Sequence, residues 1–186
     1  TSLVTAPKLP ATTLGFASYM YMFAECTSLV TAPELPATIL NFGCYGGMFD
    51  FCTSLVNAPE LPATTLSPYC YSNMFAECTS LVTAPELPAE ILVDYCYQYM
   101  FAGCTSLNKV TTSGYKGTVF TSTTGWLDEV SSTGTIYMIC YSDFRDVPDG
   151  WEIVCREGGK LWVTKEMKLY YLKQKKASES LRNERL

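Results

Sequence analysis

The sequence predicts an α/β solenoid: 26-residue units of strand, turn, helix and turn, stacked so that their strands form one curved parallel sheet. Three observations carry this. The segment CTSLVNAPELPATTLSPYCYSNMFAE, residues 52–77, returns at constant spacing, with Leu3, Leu29, Leu55, Leu81 and Leu107 in one register. Met22, Met48, Met74 and Met100 form another, each followed by a phenylalanine, and prolines recur in pairs from Pro7/Pro10 to Pro85/Pro88. Apolar residues make up 48% of the chain, enough for a core, but one unit of this length cannot bury its own apolar face and requires a neighbour.

In the third copy, residues 54–58 alternate in polarity around Leu55, which predicts a brief strand. Pro59 limits it, since proline donates nothing to a ladder, and Leu61 turns back to the core before Pro62. Leu66, Cys70 and Met74 then recur every four residues, with Phe75 and Cys78 continuing the face. With Ser67 as N-cap and Pro68 at the first helical position, this spacing predicts an outer helix over 68–77. Helices are wider than strands, so the sheet is expected on the concave side.

After Leu107 the repeat stops. Residues 109–125 are rich in Thr, Ser and Gly and read as loop or edge strand. Residues 135–141 and 151–156 predict strands, and the pair Gly158-Gly159 between two strand-like runs predicts a hairpin. Trp126, Trp151 and Trp162 are expected to plug the end of the stack. From Thr164 the chain reads as a basic, helix-like tail. The expected organisation is a four-unit stack over 1–107, a β-rich cap over 108–155, and a hairpin strand with a basic helical tail over 156–186. Because Thr1 falls within a unit, more units or a cap are expected upstream.

The unit length lies in the leucine-rich-repeat range. The string MFAECTSLVTAPELPATIL, residues 22–40, resembles the repeats of BspA-like bacterial surface proteins, common in gut and oral anaerobes. Their recurring element is a phenylalanine, a small residue, Cys-Thr/Ser-x-Leu and a proline-containing strand. The resemblance covers residues 1–107, and Trp126, Leu127, residues 134–137, Pro148, Gly150 and Trp151 are similar to the C-terminal end of such arrays. It implies a leucine-rich-repeat solenoid used as a secreted or cell-surface module for protein or host contact, without catalysis. Residues from Arg156 onward match nothing in that family.

Charge is divided along the chain. Residues 1–155 hold 4 Lys/Arg and 14 Asp/Glu, and residues 156–186 hold 9 and 4. The body therefore repels nucleic acid and anionic lipid, while the tail does not. No run of 18 apolar residues occurs, so no transmembrane helix is expected. The chain has no histidine, which removes the commonest general base and metal ligand and every His-containing triad. An enzyme is not expected, nor is a cofactor.

Seven of the nine cysteines belong to the repeat. Cys26, Cys52, Cys78 and Cys104 form one register, and Cys44, Cys70 and Cys96 the other. No CxxC pair or histidine supports zinc. A Cys70–Cys78 disulfide is one reading, but Ser18 leaves Cys26 without a counterpart. Buried free thiols are the reading adopted. Cys140 and Cys155 end two strand candidates and form a possible pair. Glu34, Glu60 and Glu86 share one register with Lys8. They form a solvated row rather than a calcium site, since they lack the Asp/Asn/Gly density of a calcium loop.

Tyr19, Tyr45, Tyr71 and Tyr97 are constant between copies and are expected to pack between units. Phe16, Tyr21, Tyr69, Tyr95 and Tyr99 lie at registers where copies differ, so stacking does not require them. These five aromatics, with Glu34, Glu60 and Glu86, are the candidate binding surface. The function expected is non-enzymatic binding or adhesion outside a bacterium, with a protein or glycan on a host or neighbouring cell as partner. The alternative is a structural component of a phage or cell-envelope assembly, docked through the basic tail.

Overall fold

The computed structural model describes residues 2–114, 116–117, 119–139, 147–157 and 160–161. Its architecture is parallel β with almost no helix. Strands β1 (Thr83–Leu87), β3 (Lys109–Thr112), β5 (Gly134–Ile139), β6 (Trp151–Glu157) and β7 (Lys160–Leu161) form one sheet in that order. β2 (Ile91–Leu92) and β4 (Lys116–Gly117) form a second, parallel pair. All pairs in the larger sheet are parallel except β6–β7, where Arg156 faces Leu161 and Glu157 faces Lys160. That antiparallel pair is the expected hairpin. Trp162, Cys140 and the basic tail beyond Leu161 lie outside the described residues.

Earlier copies pair in the same places through shorter contacts. Thr31 bridges Asn57 and Thr13 bridges Ile39, both parallel. Val56 donates to the Val30 carbonyl at 3.0 Å, and Ala32 donates to that of Asn57 at 3.2 Å. The prolines keep these ladders short, because each removes a donor.

The outer helices expected over 68–77 and its counterparts are absent. Among the described residues the one helical segment is α1 (Val119–Ser122). The outer segment is instead a run of overlapping β-turns. Met20 donates to Ala17, Met22 to Tyr19, Ala24 to Tyr21 and Cys26 to Phe23, all three residues back. The intervening N–H groups leave the copy: Tyr19 donates to Cys44, Tyr21 to Gly46, Phe23 to Met48 and Glu25 to Asp50, at 2.7–2.9 Å. Every fourth residue has positive φ, as at Tyr69 (58°), Asn73 (55°) and Glu77 (58°), the mark of a type II turn at its third position.

The physical reason lies in the spacing. In an α-helix residues four apart precess by about 40° per step, so Leu66, Cys70, Met74 and Cys78 would spread over a third of the circumference. All four are buried, because two turns of this ribbon span four residues and return each to the same side. Ser67 caps no helix. Its hydroxyl donates to the Leu40 carbonyl of the preceding copy at 3.0 Å.

The same backbone bonds continue beyond the repeat in residue identity. Tyr97, Tyr99, Phe101 and Gly103 donate to Ser122, Thr124, Trp126 and Asp128 at 2.8–3.0 Å. Thr83 faces Lys109 and Lys109 faces Thr135, so the 26-residue step persists past Leu107. Trp126 takes the methionine register and Leu127 the phenylalanine register, both buried.

The core consists of columns. Tyr19, Tyr45, Tyr71 and Tyr97 stack at 5.7–6.1 Å, and Phe23, Phe49, Phe75 and Phe101 at 5.5–5.7 Å. Leu29, Leu55, Leu81 and Leu107 are fully buried beside them. Met48, Met74 and Met100 are also fully buried, whereas Met22 on the first copy is 46% exposed, since no described copy covers it.

The seven repeat cysteines are buried free thiols. Those of Cys52, Cys78 and Cys104 donate to the carbonyls of Phe23, Phe49 and Phe75 at 3.0–3.1 Å. Titration of the denatured, unreduced protein will therefore find at least seven thiols, and three or fewer would overturn the assignment. Cys78→Ser will destabilise by about 1–3 kcal/mol, the cost of burying an imperfectly paired hydroxyl.

Burial pushes the thiol of Cys52 up to about 11 and those of Cys96 and Cys104 to about 12, from an ordinary 9.0. A folded-state pKa above the unfolded one contributes stability below the unfolded value that is lost as pH rises through the folded one. Stability will thus fall between pH 9.0 and about 12. Buried Tyr45, Tyr71 and Tyr97, raised above their ordinary 10.0 by burial, add to the fall at the upper end, so in denaturant melts a decline that began only above pH 10 would show the thiols to be exposed.

Candidate functional site

Phe16, Tyr69 and Tyr95 fall in a single surface ladder, which also recruits Phe42. Phe16 stacks on Phe42 at 5.4 Å with an 8° interplanar angle. Phe42 meets Tyr69 at 5.2 Å, and Tyr69 meets Tyr95 at 4.8 Å. The ladder changes register midway, from 16/42 to 69/95, and the positive φ of Tyr69 and Tyr95 (58° each) accompanies the shift. Stacking spends the ring faces on one another and leaves mainly edges to solvent. The exception is Phe16 at the end of the ladder, 71% exposed.

Tyr21 and Tyr99 lie elsewhere. Both have positive φ (54° and 51°), and their rings lie across Gly47 and Gly125 of the next copy. A Cβ at either glycine would collide with the ring, and the Glu77 carboxylate lies across Gly103 in the same manner. Gly47 and Asn73 therefore have a backbone origin in this register, whereas Tyr21 and Tyr99 are exposed, as the sequence predicts. The register is left-handed, which glycine and asparagine tolerate well, and a large side chain in one copy is matched by glycine in the next.

Near this row Asp50 lies close to Glu25 and Glu77 of the flanking copies. Burial, then the charges of Glu77 and Glu25, push its carboxyl above its ordinary 3.8. Its raised folded pKa means stability is gained as pH falls from neutrality through that value and is complete below the unfolded one. Asp50→Asn will stabilise the protein at pH 7 by a few tenths of a kcal/mol, the scale of a like-charge pair, and will flatten the gain on acidification. Identical acid profiles for Asp50→Asn and the parent would overturn this.

Glu34, Glu60 and Glu86 are exposed on the opposite side, where each copy passes through Pro-Glu-Leu-Pro. Among the described residues no backbone hydrogen bond joins residues 33–36 to 59–62. Two prolines in four residues remove half the donors a ladder needs, and the first four copies part at this corner, whereas Glu86 and Leu87 of the fourth pair with Thr111 and Thr112. Between the third and fourth copies a cleft of about 420 Å³ is lined by Pro59, Pro62, Pro85 and Pro88 over Leu61, with Glu60 and Glu86 at the rim. Between the first and second, a cleft of about 320 Å³ has Pro7, Pro10, Pro33 and Pro36 over Leu9, with Lys8 opposite Glu34. The clefts depend on missing backbone bonds, so the sequence reading did not find them, although the proline spacing was the available signal.

Half-exposed Val4, Val30, Val56 and Val82 and exposed Thr5, Thr31, Asn57 and Thr83 continue this side of the molecule. Asn57 donates to the Thr31 hydroxyl at 3.4 Å. Among the described residues no group of three or more Cys, Asp or Glu side chains is placed to hold a metal ion, and no helix is long and apolar enough to cross a membrane. No family model, curated protein or solved structure matches the chain.

Proposed function

We propose that the chain is a leucine-rich-repeat-type solenoid of the BspA-like kind, serving as a non-enzymatic binding module of a secreted or cell-surface bacterial protein. The observation that carries this reading is the repeated proline-rich corner, which presents a similar cleft on two pairs of copies beside a constant column of valine. Constant exposed residues contribute little to the core, so their repetition supports use of this side for contact. Each cleft is shallow and has few polar groups, so affinity arises from multiplicity along the stack.

The test compares this chain with a version carrying twice the number of units, both assayed on immobilised host glycoproteins. Longer arrays will bind with higher apparent affinity. Equal affinity would remove the multivalent account. Loss of binding on deleting residues 156–186 would favour the alternative, a structural part of a larger assembly held through the basic segment, which the +5 balance of those residues supports.

A further inference from the structure

We infer that the interior of the stack binds a structural water shared by the hydroxyls of Tyr45 and Tyr71. Both tyrosines are 1% exposed, and neither hydroxyl has a hydrogen-bond partner among the described residues. A hydroxyl buried without a partner is costly, and most such groups in folded proteins are satisfied by protein or by ordered water. Stacking does not explain why the hydroxyls are there. Phe23, Phe49, Phe75 and Phe101 form a second column at 5.5–5.7 Å with no polar atom in the side chain. The column of Tyr19, Tyr45, Tyr71 and Tyr97 nevertheless keeps its oxygen in every copy.

The spacing suits one water. The Tyr45 and Tyr71 rings lie 5.7 Å apart at an interplanar angle of 4°. Both side chains hang from the same point of the repeat, so the translation that carries ring to ring carries oxygen to oxygen by about the same 5.7 Å. That is too far for a direct bond, and it matches two O–H···O bonds of about 2.8 Å laid end to end. A water between them accepts from both hydroxyls and keeps two protons to donate. Thiols lie alongside: the field of Cys44 reaches both hydroxyls, and that of Cys70 reaches Tyr71. Sulfur accepts weakly, which brings the water to the three or so bonds usual for a buried one. Burial holds these tyrosines and thiols uncharged at pH 7, so a neutral ligand fits and an ion does not. Apolar columns attract without direction, whereas this bridge ties the second copy to the third at one point.

Oxygen-17 relaxation dispersion of the full chain counts waters held longer than the protein takes to tumble, and denaturant melts read their contribution. Tyr45→Phe and Tyr71→Phe will each lower the melt midpoint, since each leaves the water one anchor short and the remaining hydroxyl less well paired. The double variant will lose one long-lived water relative to the parent, and its midpoint will fall by less than the two single losses combined. Phenylalanine already stacks in the second column, so folded variants are expected, and circular dichroism will check them. A higher midpoint for both single variants would show hydroxyls with no partner at all. An unchanged count in the double variant would place the long-lived waters elsewhere, and a loss of two would show that each hydroxyl holds its own. Each of these results overturns the inference. The parent supplies a reading that needs no substitution: rotating-frame cross-peaks between water and the ring Hε protons of both tyrosines, whose absence also overturns it.

Discussion

Leu81→Ala will cost about 2–5 kcal/mol in a denaturant melt, the range for a core leucine. Leu81 is fully buried, as are Leu55 and Leu107 one copy to either side. Its truncation opens a cavity shared by three copies, with the stacked phenylalanine column limiting collapse. Two comparisons isolate the cause. Leu3→Ala, in the same register on the half-buried first copy, will cost markedly less. Thr83→Asn will be nearly silent, because Thr83 is exposed and Asn57 already occupies its register. Equal losses for Leu81→Ala and Thr83→Asn would show that the strand faces are wrongly assigned.

Asn73→Pro will cost about 3 kcal/mol or more, whereas Asn73→Gly will be close to neutral. Asn73 has φ of 55° and donates its N–H to the Gln98 carbonyl of the next copy at 2.8 Å. Proline removes that donor and cannot adopt a positive φ. Glycine keeps the donor and favours the conformation. Asn73→Ala separates a turn ribbon from a helix by sign. In a helix alanine would stabilise by roughly half a kcal/mol over asparagine, but at a left-handed position it costs about 1 kcal/mol. Thermal melts of the three variants decide it, and a stabilising Asn73→Ala would restore the helix.

Much of the packing was legible in the sequence because side-chain columns need identical residues at identical spacing. Leu81, Tyr71 and Phe75 are buried where their registers placed them. The parallel pairing of the strands followed from the same spacing. The outer segment was misread because period four and period 3.6 look alike over three turns. The distinguishing residues were Gly43, Gly47, Gly103 and Gly125, all at positive φ and all costly inside a helix. The continuation past Leu107 was hidden because Thr123, Trp126 and Leu127 fill the registers of tyrosine, methionine and phenylalanine without sharing their identity.

For the candidate site, the variability of the aromatic registers predicts exposure, and Phe16, Tyr21 and Tyr99 are exposed. Tyr69 and Tyr95 are half-buried instead, because they stack on each other and on Phe42. The glutamate row was found, while the clefts beside it required knowing where neighbouring backbones part.

In the turn ribbon, every N–H that leaves a copy points toward the following one. Any margin left open on the preceding side is therefore a row of oxygens, of the kind Ser18, Met20, Met22 and Ala24 present. Two molecules brought together there by a two-fold axis would set oxygen against oxygen, and lone-pair repulsion would keep them apart. Exposed strand margins ordinarily invite such self-pairing and need lysines or prolines to discourage it. Here the one-way sense of the amide groups supplies the protection, and it makes any growth at that margin directional, like adding to one end of a polar filament.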